Sequence, residues 1–500
     1  MVARPEERTF RYRLLDTTRA YGQDKLKESG EANPQRRRHA QRFLQVCRAS
    51  IPDEEGQSSL RQATADIRAA LDWSLVRDGD LSLGVDLASA ATPVFLRLSL
   101  LREHKKYLDL ALGHISASAN TAPISDAAFA SEMALRTAIA LALYYTEGSE
   151  TASEDHLQKA RAIAQNTGDT THELKVLWML YGIAGNSGNY RKELAYAKMY
   201  DSTARASVDV MAEFRRHRIL GRSLGDLGRH VLAREHLEMA LRANRASMPR
   251  IAMNAYEIDD WIAARATLAR ILWLQGLPDD AKREADQCIV EALQLGHEQT
   301  TCWVLAFNIC PLAIWRGRLD EAKVLVDLLL ERSQKVFEHY HEWGLLYRQF
   351  LAGAISASDQ VDAVCHSDVK AKIAAQVDLF ATFDAAFAGP DTLARAQVDE
   401  DTWCAPELLR TWAYRLVSGS DKTAHSEAEA ILLRSLGLAK HQDAKAWELR
   451  AATTLALLYL RSCRSREARA VLEPALKQFT QGHDTRDVQA ANNVLFALYN

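Results

Sequence analysis

Few residues of this 500-residue chain have the type and spacing that specific chemistry requires. Two pairs, Trp261 with Arg265 and Trp343 with Tyr347, are four residues apart, so each pair would share one face of a helix. Large rings and arginine are the side chains that most often anchor a bound protein or peptide. These four residues are our candidates for binding a ligand in a groove. For an individual tryptophan on a helical stripe, packing in the core is the favoured alternative.

Two dense basic runs are candidates for contact with a phosphate backbone or an acidic partner. Their members are Arg36, Arg37 and Arg38, and Arg215, Arg216 and Arg218. Apolar helical residues follow each run directly, which favours the alternative of a solvated helix face. Neither run carries the interleaved aromatic residues that stack on bases. Direct nucleic-acid binding is therefore not favoured.

The other reactive residue types predict neither catalysis nor a cofactor. His339 and His341 are two residues apart, so on a helix they would point to opposite sides and could not share a metal ion. His230 and His236 flank a predicted turn and are expected at the surface. The sequence has no Gly-Lys dipeptide, which a phosphate-binding P-loop requires. We therefore expect a protein that is not an enzyme, with no catalytic, cofactor-binding or metal-binding residues.

Composition predicts a globular cytoplasmic protein. Apolar residues make up 48% and charged residues 25%, and 62 Lys and Arg against 65 Asp and Glu give a net charge of -3. This balance excludes a global attraction to nucleic acid or anionic lipid. The seven cysteines include no CxxC pair, which favours reduced thiols over disulfides or zinc. We find no apolar run of the ~18 residues that a membrane-spanning helix needs.

A recurring sequence pattern predicts that these candidate residues lie on paired helices. A glycine followed five residues later by alanine, or by a similar helix residue, recurs between apolar helical stretches. The glycines are Gly188, Gly228, Gly276 and Gly317, and Ala233, Ala281 and Ala322 follow the last three. Such a glycine ends one helix in the left-handed conformation, and the small alanine lets the next helix pack closely. Around Cys463 and Ala468 the same pattern recurs, with cysteine at the glycine position.

The predicted fold class is all-α, an α-α superhelix built as a TPR-like solenoid of roughly ten helical hairpins. The spacings of about 40 residues exceed the 34 residues of strict TPR units. Residues 9–15 read as one short strand, followed by a helix from Thr17 to Glu28. The predicted divisions are 1–33, a winged-helix remnant; 34–354, TPR-like repeats; 355–405, a less regular segment broken at Gly389-Pro390; and 406–500, terminal repeats with a capping helix.

Several segments resemble the C-terminal arm of bacterial STAND-type regulators, which are predicted ATPases with winged-helix domains. RYRLLDTTRAYGQDKLKESGE (11–31) and RRRHAQRFL (36–44) are similar to the junction between the winged helix and the repeats. Residues 66–112 resemble the first repeats. WCAPELLR (403–410) and FTQGHDTRDVQAANNVL (479–495) resemble the last ones. The chain begins where the family's ATPase would have ended.

This resemblance implies a sensor or scaffold arm whose ATPase and winged-helix domains would be supplied elsewhere. The expected partner is a protein, a peptide or a small effector held in a concave groove lined by the first helix of each pair. Two alternatives stay open. One is a DNA-associated transcriptional regulator acting through the basic N-terminal segment, and the other is an enzyme with an unrecognised site. No membrane contact is expected.

Overall fold

The computed structural model describes two compact units, residues 1–176 and 177–500. The structure describes residues 2–6, 9–13, 15–49, 56–76, 78–98, 100–119, 126–206, 209–243, 245, 258–334, 338–356, 374–384, 387, 394, 396–397, 401–417 and 422–499. The boundary between the units falls inside one helix, α8 (Thr170–Asn186).

The first unit begins with an antiparallel strand pair and continues as helices. The strands are β1 (Val2–Glu6) and β2 (Thr9–Arg13), with Val2 opposite Arg13. The helices are α1 (Asp16–Glu28), α2 (Ala32–Arg48), α3 (Gly56–Ser74), α4 (Leu81–Arg97), α5 (Leu101–Ala119), α6 (Asp126–Glu147) and α7 (Glu150–Thr167). The predicted strand and the helix after it are therefore present. Their origin in a winged helix stays a prediction.

One core runs through the helices of the first unit. Leu71, Leu87, Phe95 and Leu108, from α3, α4 and α5, are completely buried in it. Within the described part of the chain, α6 is the one helix that is long and apolar enough to cross a membrane. It packs against α5 and α7, and its middle residues, from Met133 to Leu143, are largely buried. Burial inside the protein accounts for its apolar composition.

The second unit is a series of helix pairs. After α8 its helices are α9 (Tyr190–Ala204), α10 (Val210–Asp226), α11 (His230–Leu241), α12 (Asp260–Leu274), α13 (Pro278–Leu295), α14 (Glu298–Val304), α15 (Cys310–Trp315), α16 (Leu319–Ser333), α17 (Glu338–Ser356) and α18 (Ala374–Ala381). Those after residue 400 are α19 (Ala405–Val417), α20 (Lys422–His441), α21 (Lys445–Arg461), α22 (Ser465–Lys477) and α23 (Arg486–Tyr499). A π-helical stretch, Leu305–Ile309, joins α14 to α15.

The predicted pattern, a glycine turn followed five residues later by alanine, is confirmed. Gly188, Gly228, Gly276 and Gly317 all have positive φ, between 66° and 78°, and each separates two helices of a pair. Cys463 takes the same left-handed conformation, with φ 59°. The alanines that follow the turns, Ala233, Ala281, Ala322 and Ala468, are completely buried. These helix pairs confirm the predicted fold class, an all-α TPR-like helical repeat.

Cys302 and Cys310 are both completely buried, but the helix between them is interrupted. Pro311 lacks an N–H, and its ring would clash with the carbonyl one turn earlier in a regular α-helix. The wider π-helical turn before it accommodates the ring.

The predicted domain boundaries stay predictions, because the contact pattern divides the chain inside α8 instead of at residues 33, 354 or 405. In the irregular segment the structure describes α18 and a few residues after it. Gly389-Pro390 and Cys365 lie outside the described residues.

Candidate binding site

Trp261 and Arg265 lie together on one face of α12, but their side chains contact the neighbouring helices α10 and α13. The Trp261 ring stacks on Phe214 at 5.8 Å between centroids, and its buried indole N–H finds no acceptor among the described residues. Arg265 pairs with Glu284 at 2.8 Å. Arg270, nine residues after Trp261, points about 180° away and contacts a later part of the chain. The predicted pair is therefore partly buried between neighbouring helices.

Trp343 and Tyr347 are core residues in this structure. Trp343 is 3% exposed and Tyr347 is completely buried. Both rings contact Phe380 of α18, and the Tyr347 hydroxyl donates to the Ala306 carbonyl at 2.5 Å. Burial raises the pKa of Tyr347 well above its ordinary value. In this conformation neither side chain offers surface to a ligand, so we do not retain this pair in the binding proposal.

The second basic run is neither solvated nor free. Arg218 is 2% exposed and pairs with Asp260 of α12 at 2.7 Å, and Arg215 pairs with the same carboxylate at 2.5 Å. Arg216 pairs with Glu213 and Asp201. The expectation of a solvated face was wrong here because these guanidinium groups bridge α9, α10 and α12. Within the described residues all three guanidinium groups are held in ion pairs, which disfavours contact with a phosphate.

The first basic run is exposed on α2. Arg37 pairs with Asp80 at 2.9 Å. Arg36, Arg38 and the next arginine, Arg42, are exposed and have no ion-pair partner among the described residues.

A cleft of about 700 Å³ lies beside this run, between the start of α2 and the turn from α3 to α4. Arg37, Arg38, Trp73 and Leu81 are among its lining residues. We call it the α2 cleft. It combines an aromatic ring, an aliphatic side chain, the guanidinium group of Arg38 and the carboxylates of Asp78 and Asp80.

An aromatic cluster joins the early and late helices of the second unit. Trp273 of α12 stacks on Trp315 of α15 at 4.9 Å, and Trp447 of α21 packs edge-on to both rings. Trp403 contacts Trp315 and Trp447. The Arg450 guanidinium lies over Trp273 and Trp447 and donates to the Trp315 carbonyl at 2.9 Å. The inner helix faces that were expected to hold a ligand here contact the chain's own late repeats.

A buried chain of charges runs beside this cluster. Arg222 of α10 lies 3.5 Å from the Glu193 carboxylate of α9 and 3.3 Å from Asp226. Asp226 in turn contacts Arg270 of α12, whose guanidinium lies 4.8 Å over the Trp403 ring. Burial raises the pKa of Glu193 to about 8, and Arg222 opposes this rise. The buried charges of Arg222, Asp226 and Arg270 are each stabilised by a neighbour of opposite charge.

The turns of the early pairs contact the late repeats directly. A Cβ on Gly228 would lie 2.5 Å from Gln442, and one on Gly317 would lie 2.7 Å from Arg486. The Gln481 side chain accepts from the Asp279 and Asp280 N–H groups at 2.8 and 3.0 Å, so it caps α13 from the last repeat. Glycine is therefore required at these turns for close approach as well as for positive φ.

A second cavity, of about 380 Å³, lies where one of these turns meets the late repeats. Residues 227–232 and 441–443 line it together with Asp401, and we call it the turn cleft. His230 lines this cleft and is completely buried, so the expectation that it lies at the surface was wrong. His236 is half-buried, with its Nδ1 2.9 Å from that of His217. Burial lowers the pKa of His230 to about 3, an effect to which the Arg270 cation adds.

Within the described residues no three His, Cys, Asp or Glu side chains are grouped to hold a metal ion. Burial raises the pKa of the Cys47 and Cys302 thiols to about 12, which suppresses the nucleophilic thiolate.

Sequence analysis did not predict the buried series of ionisable groups from Glu193 to Arg270. It also did not predict that Trp403 packs against Arg270 and the aromatic cluster. Arg222 and Asp226 have helical i,i+4 spacing, which is a usable signal. Glu193, Arg270 and Trp403 come from distant parts of the chain, and no local pattern links them.

The paired helices and left-handed turns define the class as a TPR-like helical-repeat protein. No protein-family model and no curated protein matches the chain. Solved helical-repeat structures are similar to it. A Rap protein complexed with competence and sporulation factor is 11% identical with a TM-score of 0.45, over 89% of this chain and 99% of that one.

Two further structures are more distant. The apo form of the quorum sensor NprR from B. thuringiensis is 12% identical with a TM-score of 0.37, over 80% of this chain and 99% of that one. The P58(IPK) TPR domain is 13% identical with a TM-score of 0.23, over 80% and 98%. At these scores the fold assignment rests on the chain's own helix pairs and turns.

Proposed function

We propose that this protein is a non-catalytic helical-repeat module that binds a protein or peptide partner in the cytoplasm. As its resemblance suggests, it would serve as the sensor or scaffold arm of a STAND-type regulator. The observation that carries the proposal is the α2 cleft, which is lined by Trp73 and by Arg38, an arginine with no ion-pair partner among the described residues. Tryptophan and arginine are the residue types that dominate binding hot spots.

The unpaired arginines on the exposed face of α2, beside the cleft, favour an acidic segment as the bound element. Arg38 and Arg42 are one helical turn apart, so an extended or helical acidic segment could meet both while an apolar side chain fills the space by Trp73. The cleft lies next to the residues that resemble the family's ATPase junction. An ATPase domain supplied by another chain is therefore a suitable partner.

The test is affinity capture with the full chain, comparing wild type with the triple variant Arg36→Ala, Arg38→Ala, Arg42→Ala. The matched control is Lys27→Ala, Lys159→Ala, Lys440→Ala, which removes the same charge from exposed positions elsewhere. We expect the first variant and Trp73→Ala to lose specific partners that the control retains. Equal recovery by all variants would reject the α2 cleft as the partner site.

A second candidate function uses the same arginines, because exposed and unpaired guanidinium groups also suit a phosphate backbone. A DNA-associated regulator would retard duplex DNA in an electrophoretic mobility-shift assay at low salt. The arginine triple variant would lose this binding. If the wild-type protein does not change the gel mobility of duplex DNA at low salt, this alternative is rejected.

A further inference from the structure

Two histidines of neighbouring helices face each other in the second unit. The Nδ1 atoms of His217 on α10 and His236 on α11 are 2.9 Å apart. At this distance one Nδ1 carries a proton and donates it to the lone pair of the other. The contact lies near the middle of both helices, and the His217 side chain is 14% exposed. This hydrogen bond is therefore a direct link between the two helices of the pair.

The number of protons on the two rings decides whether this hydrogen bond exists. With both rings neutral, or with only the donor ring charged, the second Nδ1 keeps its lone pair. With both rings charged, two N–H groups and two positive charges face each other at 2.9 Å, so repulsion replaces the bond. In the unfolded chain each ring titrates independently, at about pH 6.5. The folded pair therefore binds fewer protons than the unfolded chain in mildly acidic solution.

The charged groups on α10 do not stabilise a second proton. Glu213 lies one turn before His217, and its carboxylate is 3.7 Å from Nε2 of that ring. The same carboxylate is already paired with Arg216 at 2.5 Å. Burial lowers the pKa of His217 and of His236 below the ordinary value, and repulsion by the Arg216 cation adds to this effect at both rings.

Carboxylates on the other helices compensate a second proton only weakly. On α9, Asp201 attracts a proton on either ring but is paired with Arg216 and Arg205, at 2.8 and 3.0 Å. On α11, Glu235 attracts a proton on His236, but it is exposed and solvent screens its charge. Further charged residues of α11 and α12 are held in ion pairs: Arg234 with Glu238, Asp260 with Arg218, Arg265 with Glu284, and Arg270 with Asp226.

We infer that the His217–His236 contact is an acid-sensitive latch, which holds α11 against α10 while at most one ring is protonated and releases it when both are. Since the folded pair binds fewer protons than the unfolded chain, its contribution to stability is fully present above about pH 6.5 and is lost as the pH falls. Gly228, in the turn of the same helix pair, lies so close to Gln442 that an added Cβ would be 2.5 Å from it. Release of α11 therefore also weakens this contact with the late repeats. The latch acts without a partner and does not depend on the α2 cleft.

Hydrogen exchange of the full chain, followed by mass spectrometry at pH 6.5 and pH 5.5, tests the latch. Each measured rate is divided by the intrinsic exchange rate at that pH, so that it reports the opening of a helix. In the wild type we expect the opening of α11 to increase about tenfold between the two pH values, which corresponds to one proton taken up on opening. The helix α13 carries no histidine and is the internal reference, and its opening should change by less than about twofold.

Two variants keep the contact but remove its response to acid. In His236→Asn the side-chain amide takes the place of Nδ1, and its oxygen accepts from a protonated His217. The increase at α11 should therefore fall to about twofold or less. His217→Asn is the reciprocal variant and serves if the first does not fold. His483→Asn, at an exposed position before α23, is the matched control and should keep the wild-type increase.

Three results would overturn the inference. One is an opening of α11 in the wild type that does not change between the two pH values. Another is an equal increase at α11 and α13, which would indicate acid unfolding of the whole unit. The third is an increase at α11 in the asparagine variants of His217 and His236 that is as large as in His483→Asn.

Discussion

At the scale of single residues, burial decides what each titratable group can do. Glu193 has an ordinary sequence context, yet its carboxyl group is completely buried, and among the described residues Arg222 is the one guanidinium within 4 Å of it, at 3.5 Å. Desolvation outweighs that attraction, so the pKa of Glu193 rises to about 8. Nearby Arg218, Asp226 and Arg270 modulate the shift.

This shift predicts a pH dependence of stability. The folded state holds the Glu193 proton up to about pH 8, whereas the unfolded chain releases it near the ordinary value of 4.5. The contribution of Glu193 to the free energy of unfolding is therefore fully present below pH 4.5 and is lost as the pH rises to 8. Glu193→Gln removes this titration. The stability difference between wild type and variant should shift in favour of the variant from pH 5 to pH 8.

Urea unfolding at each pH measures this difference. Glu331→Gln, at an exposed position of α16, is the control and should leave the pH profile unchanged. A constant difference between wild type and Glu193→Gln across this range would contradict the assigned shift.

Cys463 gives a second prediction at this scale. It takes φ 59° at a turn where the other repeats use glycine, and a residue with a Cβ is strained there. Cys463→Gly should stabilise the protein by about 0.5–1 kcal/mol, measured by its urea midpoint. Cys463→Ala keeps the Cβ and should have little effect. Equal midpoints for the two variants would show that the turn is not strained.

At the scale of elements, the turns carry two separate constraints. Gly228 and Gly296 have nearly the same positive φ, 66° and 68°. Around Gly296 an added Cβ would meet nothing within 4 Å, but at Gly228 it would overlap Gln442. Comparing substitutions at these two glycines therefore distinguishes the cost of backbone strain from the cost of disturbing the contact between repeats.

Gly296→Ala should therefore cost about 1 kcal/mol, the strain of the left-handed conformation alone. Gly228→Ala should cost about 3 kcal/mol, because overpacking against Gln442 is added. Chemical denaturation of both variants provides the comparison. If the two cost the same, the turn of the α10–α11 pair does not contact the late repeats in solution.

At the scale of the whole molecule, the early and late repeats of the second unit share one aromatic core. Trp447 is completely buried and donates its indole N–H to the Trp403 carbonyl at 3.2 Å. Arg450 lies over its ring. The helices after residue 400 are thus structural partners of α12 and α15.

Trp447→Leu should destabilise the second unit by about 3 kcal/mol, since it opens a cavity and leaves the Trp403 carbonyl without its donor. Hydrogen exchange should accelerate in α12 and α15 as well as in α21. Tyr414→Leu, at a position 58% exposed, is the control in the same unit. Faster exchange confined to the helices after residue 400 would refute a shared core.

The sequence alone determined the helix pairs. Glycine or cysteine in the left-handed turn and alanine five residues on are local requirements, so their spacing predicts the turn at Gly228 and even the unusual one at Cys463. Apolar periodicity likewise placed Tyr347 on a helix, but periodicity cannot say whether that face meets a groove or a neighbouring helix.

Only the tertiary structure decided which faces stay free. Arg36 and Arg215 belong to similar basic runs, yet the first is exposed and the second is paired with Asp260, because a carboxylate 45 residues away lies beside it. Distant residues likewise determine how far Trp261, Trp343 and His230 are buried. Their surroundings are set by long-range packing between repeats, and a single sequence does not record which distant residues meet.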